Sequence, residues 1–221
     1  MASVLIEVRG RSRDHSAGER LADGVVHAVG ILAGIAGAAL LIQLTLDHNP
    51  GRVAGVGVYA AGLIAMLGAS AIYNLCYATR FRDLLRRFDH SAIFIMIAGT
   101  YTPFVVTYYN NTWAIAIAAL VWSLSGAGIA IRILRPDIFD RINVALYLAL
   151  GWTAVIVIGP LLLTFSAFTG AALLLGGTLY TAGVPFHIWE HLRFQNAIWH
   201  VFVLAAAMCH YFAVLDGVAL G

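Results

Sequence analysis

The sequence contains no lysine, and only 11% of its 221 residues are charged. Soluble domains carry about 25% charged residues, so this chain lacks the charge that a water-facing surface requires. Its formal net charge is only +2, too small to draw in nucleic acid by a strong positive field. The composition therefore excludes a soluble globular fold and gives no support to a nucleic-acid partner.

Cysteine and the common catalytic motifs are also scarce or missing. The two cysteines, Cys76 and Cys209, lie in separate apolar segments, and we expect both to be buried apolar side chains without a disulfide. The sequence has no Walker loop, no GxSxG nucleophile elbow and no HExxH zinc motif. Nothing in it therefore indicates a nucleotide-binding protein, a serine hydrolase of that type or a zinc protease.

Apolar residues dominate instead, at 61% of the chain. They form seven segments that are each long enough to cross about 30 Å of hydrocarbon as a helix: residues 22–46, 53–76, 89–108, 113–133, 142–160, 165–183 and 197–219. We predict an all-α bundle of seven transmembrane helices over residues 22–221, preceded by an amino-terminal arm at 1–21. The boundary at Gly159-Pro160 carries no charge, so one kinked element and a total of six spans remain an alternative.

Arginine is distributed unevenly between the two sides of this predicted bundle. Twelve of the thirteen arginines lie in the arm or in the connections after the second, fourth and sixth segments, and only Arg52 lies on the other side. Positive charge accumulates on the cytoplasmic side of membrane proteins. We therefore predict a cytoplasmic amino terminus and an outside carboxyl terminus. The Lys-free, Arg- and Ala-rich composition suggests a bacterial source and hence the bacterial inner membrane.

Glycines cluster in two of the segments, as Gly30, Gly34 and Gly37 and as Gly126 and Gly128. Small residues allow helices to approach closely in lipid, where no hydrophobic force drives helices together. We expect these glycines to mark helix–helix contacts.

Polar side chains recur at one predicted membrane depth, near the cytoplasmic side. They form pairs on four segments: Asp23 with His27, Ser70 with Asn74, Asp89 with His90, and Asn196 with His200. Residues four apart share a helix face, and ionisable groups in a bilayer are costly enough to need a reason. Each has an ordinary structural explanation alone, such as a helix cap or a packed histidine, but together they predict a shared polar site. We expect the remaining histidines at 15, 48, 187 and 191 to be solvated, and we leave His210 out of the site.

Four stretches of the chain carry a family resemblance. The sequence closely resembles the hemolysin III branch of the progestin and adipoQ receptor family in its third segment (88–93 and 98–104), its seventh (197–204), its second (70–73), and the spacing of Asp23, His27 and Gly30 in its first. The resemblance implies seven spans with a cytoplasmic amino terminus. It also implies a zinc site inside the membrane, built from three histidines and an aspartate.

The resemblance assigns the zinc ligands to four positions of this chain. Asp89 and His200 match the family pattern, whereas Asn74 and Asn196 stand where the pattern has histidine. Zinc favours imidazole and thiolate donors, and a neutral carboxamide oxygen is a poorer ligand for it. We therefore expect this chain to bind zinc weakly or not at all.

Three functional hypotheses follow from the resemblance and the polar site, and all have membrane lipids as partners. We favour a non-catalytic role in membrane homeostasis or signalling. The first alternative is a zinc-dependent hydrolase of lipid amides, similar to a ceramidase, in which Asp89 is a ligand and Ser70 orients the reacting groups. Such an enzyme would act on a lipid substrate, and Asn74 and Asn196 would impair its activity. The second alternative is a channel or transporter. Whether the chain is an enzyme stays open.

Overall fold

The fold is described from a computed structural model covering residues 15–76, 80–107, 112–157 and 165–221, with no side-chain description at 113–114 and 154–157. Several sequence-based predictions fall outside this part of the chain. They concern the arm at 1–14 with Arg9, Arg11 and Arg13, the break at Asn110-Asn111, and the boundary at Gly159-Pro160.

The described residues form seven long helices and no strand, which confirms the all-α prediction. The helices are α1 (Ala17–Thr45), α2 (Pro50–Leu75), α3 (Arg82–Thr107), α4 (Thr112–Leu134), α5 (Pro136–Val157), α6 (Ala167–Ile188) and α7 (Gln195–Val214), and a short π-helical turn (Leu215–Ala219) follows α7. Each of the seven predicted segments coincides with one helix.

Most of the helices begin earlier than their apolar segments, because polar caps and charged turns extend them. The start of α1 shows how. The Ser16 hydroxyl accepts a hydrogen bond from the Glu19 amide at 3.3 Å, and the Glu19 carboxylate accepts one from the Ser16 amide at 2.8 Å. This reciprocal capping box satisfies backbone donors that an open helix end would leave free. A hydropathy pattern alone does not register such a boundary.

Six of the helices are long and apolar enough to cross a membrane: α1, α2, α3, residues 115–134 of α4, α6, and α7 together with the π-helical turn. Over the described part of the chain, α5 is not among them. α5 and α6 are nevertheless separate elements, because α6 starts at its own cap, where the Ser166 hydroxyl accepts a hydrogen bond from the Thr169 amide at 3.0 Å.

The helices form a ring in chain order. Each helix packs against the next one in the chain, including α5 against α6, and α7 packs against α1. Glycines mark close contacts between helices: an added Cβ at Gly34 would lie 2.6 Å from the Leu67 side chain, and at Gly128 it would lie 2.3 Å from the Phe94 ring. Gly126, by contrast, faces open space, so the packing prediction holds for Gly128 and not for Gly126.

The cysteine prediction is right about the disulfide and wrong about burial at one position. Cys76 and Cys209 are both free thiols. Cys76 is exposed because it is the carboxyl-terminal cap of α2, where the helix ends at the bundle surface, whereas Cys209 is half-buried within α7.

An ionic network ties together α3, α4 and α5. The Asp140 carboxylate lies 3.1 Å from a guanidinium nitrogen of Arg86 and 3.5 Å from one of Arg132. The Arg132 side chain is only 3% exposed and lies over the Phe139 ring. Removing the partner of a buried charge is costly, since that charge is then left without compensation.

We predict that Asp140→Asn destabilises the bundle by on the order of 2 kcal/mol, less than for a fully buried pair because Asp140 is 24% exposed. For a chain of this size that corresponds to a fall of roughly 4–8 °C in Tm. Thermal unfolding of purified protein in detergent measures it. Asp137→Asn is the matched control, because the Asp137–Arg135 pair spans 4.0 Å with both side chains 64% exposed and such pairs contribute little. Equal melting temperatures for the two variants would contradict the prediction.

Candidate functional site

A cavity of about 240 Å³ lies inside the ring and receives side chains from all seven helices. Its wall on α3 extends from Asp89 to Val105. At 1.5 Å per residue these two positions are roughly 24 Å apart along the helix, which is most of the ~30 Å hydrocarbon thickness of a bilayer. The cavity is therefore long and narrow.

The two ends of the cavity differ in polarity. One end is lined by His27, Ser70, Asp89 and His200, and the other by apolar side chains that include Phe104, Phe165 and Leu173. Most of the wall between them is aliphatic or aromatic. The cavity therefore offers a group of hydrogen-bonding side chains at one end and a mainly apolar wall beyond it, in which His210 is a further polar side chain.

The polar end contains a compact group of three buried side chains, Asp23, His27 and His200, which we call the Asp–His–His cluster. A ring nitrogen of His200, Nδ1, lies 2.6 Å from Asp23 Oδ1, and His27 Nε2 lies 3.6 Å from Asp23 Oδ2. The two imidazole rings are 4.4 Å apart between centroids and are tilted by 54°. The cluster joins the first helix to the last.

Local sequence explains why these groups meet. Asp23 and His27 are four residues apart and so lie on one face of α1. At the start of α7, Phe194 adopts a left-handed backbone with φ of 60°, and its amide donates a hydrogen bond to the Glu19 carboxylate at 3.0 Å. That contact fixes the first turn of α7 beside the first turn of α1. His200 consequently lies opposite Asp23.

Two atoms of the cluster are buried and have no hydrogen-bond partner: Asp23 Oδ2 and His27 Nε2. Each of the three residues has a potential metal-binding atom, and these three atoms lie within 4.8 Å of one another. A carboxylate and two imidazoles are donors that zinc commonly uses. The residues of the cluster therefore fit a divalent transition metal.

The predicted site residues separate into two groups. Ser70, Asp89 and His200 line the cavity, where Asp89 interacts electrostatically with Ser70 and with His27. Asn74 and Asn196 are outside the residues that line this cavity. The ligand set Asp89, His200, Asn74 and Asn196 stays a prediction.

The two asparagines have partners of other kinds. The Asn74 amide donates hydrogen bonds to the Ser70 carbonyl at 2.9 Å and to the Ser70 hydroxyl at 3.3 Å. Asn196 lies 3.5 Å from a His15 ring nitrogen, in a small recess that also borders Glu19 and Asp23. Asn74 is thus paired with a residue of the cavity wall without lining the cavity itself, and Asn196 is directed toward the separate recess.

Sequence reasoning placed His187 wrongly and passed over a pair of candidate metal donors. His187 was expected to be solvated, but α6 continues through Pro185 to Ile188, so His187 lines the cavity with its ring 4.8 Å from the Trp199 ring. His210 also lines the cavity. Asp23 and His27 were named in the polar group but not as metal ligands, although an Asp-x-x-x-His pair opening an apolar helix was a usable signal.

Comparisons with known proteins agree with the resemblance seen in the sequence. Residues 18–211 match the family described as Haemolysin-III related. The chain is 31% identical over 198 residues to the Hemolysin-3 homolog of Bacillus subtilis (strain 168), covering 89% of this chain and 93% of that protein. It is also 31% identical over 198 residues to Hemolysin-3 of Bacillus cereus, covering 89% and 90%.

A human protein is similar as well, the monocyte to macrophage differentiation factor, with 26% identity over 202 residues that cover 89% of this chain and 83% of that protein. The six apolar helices and the Bacillus relatives together indicate an integral membrane protein of a bacterial plasma membrane. The family match extends over nearly the whole helical region, including both helices that build the Asp–His–His cluster. The chain therefore belongs to the haemolysin-III-related family.

Proposed function

We propose that this chain binds a single-chain lipid in its cavity, with the lipid's polar group at the end formed by His27, Asp89 and His200, and that it acts in membrane homeostasis or signalling. The observation that carries the proposal is the cavity itself, which extends through most of the bilayer thickness and has His27, Asp89 and His200 together at one end of a mainly apolar wall. That arrangement is complementary to a molecule with one polar group and a long hydrocarbon tail.

The size of the cavity supports one chain rather than a whole phospholipid. Pockets for drug-sized ligands have volumes of roughly 300–1,000 Å³, and this cavity of about 240 Å³ lies just below that range. A fatty acid or a lipid amide also suits the polar end, because its carboxyl or amide group accepts hydrogen bonds that buried imidazoles and hydroxyls donate. Apolar burial along the tail provides most of the affinity.

Binding of a lipid in the cavity can be tested with a substitution that fills part of the cavity. Gly151 lines the cavity, and a Cβ added there meets no atom within 4 Å, so Gly151→Leu should occupy lipid space without a clash in the empty protein. We predict that it weakens binding of a fluorescent fatty acid roughly tenfold, about 1.4 kcal/mol. Fluorescence titration of purified protein in detergent measures this.

Gly126→Leu is the control for that titration. Gly126 is equally unobstructed but lies on the exposed side of α4, away from the cavity. It should bind the fatty acid like the unsubstituted chain. Failure of the unsubstituted protein to bind, or equal binding by both variants, would remove the basis for a lipid in the cavity.

We further propose that α5 is a seventh span and that the amino terminus is cytoplasmic. Support comes from the arginine distribution under the positive-inside rule and from the place of α5 in the ring between α4 and α6. In this orientation the polar end of the cavity lies in the cytoplasmic half of the membrane. A lipid would then enter with its polar group near the cytoplasmic leaflet.

The orientation has a natural reporter in Cys76, the exposed thiol at the end of α2. We predict that a membrane-impermeant maleimide labels Cys76 in inside-out vesicles and not in right-side-out vesicles, because the proposed topology places it in the cytoplasm. Cys76→Ser, which retains only the half-buried Cys209 within α7, gives the background. Labelling from the outside alone would reverse the proposed orientation.

A second candidate function is hydrolysis of a lipid amide, favoured by the contact between Asp23 and His200. A carboxylate 2.6 Å from an imidazole fixes the orientation and tautomer of the ring, and this imidazole lines the cavity. His200 would take a proton from water as its oxygen bonds to the acyl carbon. The carbon–nitrogen bond then breaks, and the proton passes to the leaving amine. A zinc ion held by His200 would instead supply Lewis-acid polarisation of the carbonyl, because a ring nitrogen that binds a metal cannot also take the proton.

We predict that Asp23→Asn lowers hydrolysis of a fluorescent ceramide analogue by roughly 10²–10⁴-fold, the usual contribution of an oriented acid–base group. Product release, resolved by chromatography, is the measurement. Asp47→Asn, at an exposed position between α1 and α2, should keep full activity. Absence of turnover by the unsubstituted chain would reject the hydrolase and leave lipid binding standing.

A further inference from the structure

We infer that Asp23, His27 and His200 bind one divalent transition-metal ion, with zinc the best match, at the polar end of the cavity. The site shares only His200 with the ligand set that the family resemblance implies. It joins α1 to α7, whereas the implied set joins α2, α3 and α7. The inference goes beyond lipid binding and does not depend on it, because the metal contacts belong to the cluster itself.

The unpartnered atoms are the first support. Asp23 Oδ2 and His27 Nε2 are buried without a hydrogen-bond donor or acceptor, although nearly all buried polar atoms in native proteins are paired. A buried carboxylate that is only partly satisfied is costly. A cation between the two groups would satisfy both atoms with one ligand.

The spacing is the second support. Donor atoms around tetrahedral zinc, with bonds near 2.1 Å, lie roughly 3.4 Å apart. Asp23 Oδ2 and His27 Nε2 are separated by 3.6 Å, so this pair is already close to ligating distance. The full set of three donors lies within 4.8 Å, so the metal-bound cluster is somewhat more compact.

Asp23 can hold the metal and also orient a second ligand. Its Oδ1 atom is the partner of His200 Nδ1, and such carboxylate–histidine contacts fix the ring and its tautomer in metal sites. His27 and His200 both line the cavity, whereas Asp23 does not. Water or the polar group of a lipid in the cavity could therefore reach a metal held by these two imidazoles.

The asparagines offer little to a metal at their observed positions. Asn74 is hydrogen-bonded to Ser70, and Asn196 lies beside His15 in a separate recess. Their carboxamide oxygens are weak donors for zinc. With histidine absent at both positions, Asp23 supplies the anionic charge that a site with only two imidazoles needs.

The test is metal content of the purified full chain in detergent, after removal of any histidine tag, stripping with a chelator, loading with Zn²⁺ and gel filtration. We expect about one zinc per chain for the unsubstituted protein. Asp23→Asn and His27→Gln should each retain less than about a tenth of it, because each removes a donor from a three-ligand site. Loading with Co²⁺ should give the intense visible absorption of a tetrahedral ion, and both variants should lose it.

Two control variants separate this site from the alternatives. His90→Gln removes another imidazole of the same cavity with an unpartnered buried nitrogen, and it should keep the full zinc content. Asn74→Ala/Asn196→Ala should keep it too, whereas zinc held by the family-implied set would be lost. A cooperative thermal melting transition of each apo form establishes that the variant is folded. The inference is overturned by no zinc in the unsubstituted protein, by zinc retained in Asp23→Asn and His27→Gln, or by zinc lost in the double alanine variant.

Discussion

The contact between Asp23 and His200 is the constraint on which the site depends. It joins the first helix to the last, closes the ring of helices at the polar end of the cavity and places His27 beside His200. An unpaired carboxylate at this depth would be prohibitive, so its position requires a partner from α7. The Glu19–Phe194 hydrogen bond keeps the first turns of both helices in register, and the left-handed backbone at Phe194 is the strained conformation that accompanies it.

Polar and apolar side chains are separated along the interior of the bundle. Ionisable groups gather where α1 and α7 meet, and α3 adds Asp89 to the same end of the cavity. Away from this end the wall becomes aromatic and aliphatic, as at Phe104 and Phe165. The second charged network, around Asp140, lies apart from the cavity and secures α3, α4 and α5 to one another. The Asp140 network therefore joins three helices without contributing a side chain to the cavity wall.

Hydropathy was enough to predict the helices, since each apolar segment coincides with one, but capping interactions such as Ser16 with Glu19 determine where α1 begins. The polar end of the cavity was predicted in outline, because Ser70, Asp89 and His200 could be assigned to one membrane depth. The contacts between these groups could not be predicted, because membrane depth does not specify how a helix is rotated about its own axis. His187 shows this limit: a proline two residues earlier suggested a loop, yet α6 continues past it, as membrane helices can.

The closure of the ring between α1 and α7 also has a consequence for synthesis. A ribosome delivers α1 to the membrane before α7, and the five helices between them are made in the meantime. Until α7 inserts, Asp23 and His27 lack their partner, and the polar end of the cavity has no wall on that side. A chain that still lacks α7 therefore has neither the cluster nor the enclosed cavity, so any chemistry of this site begins only after α7 has inserted.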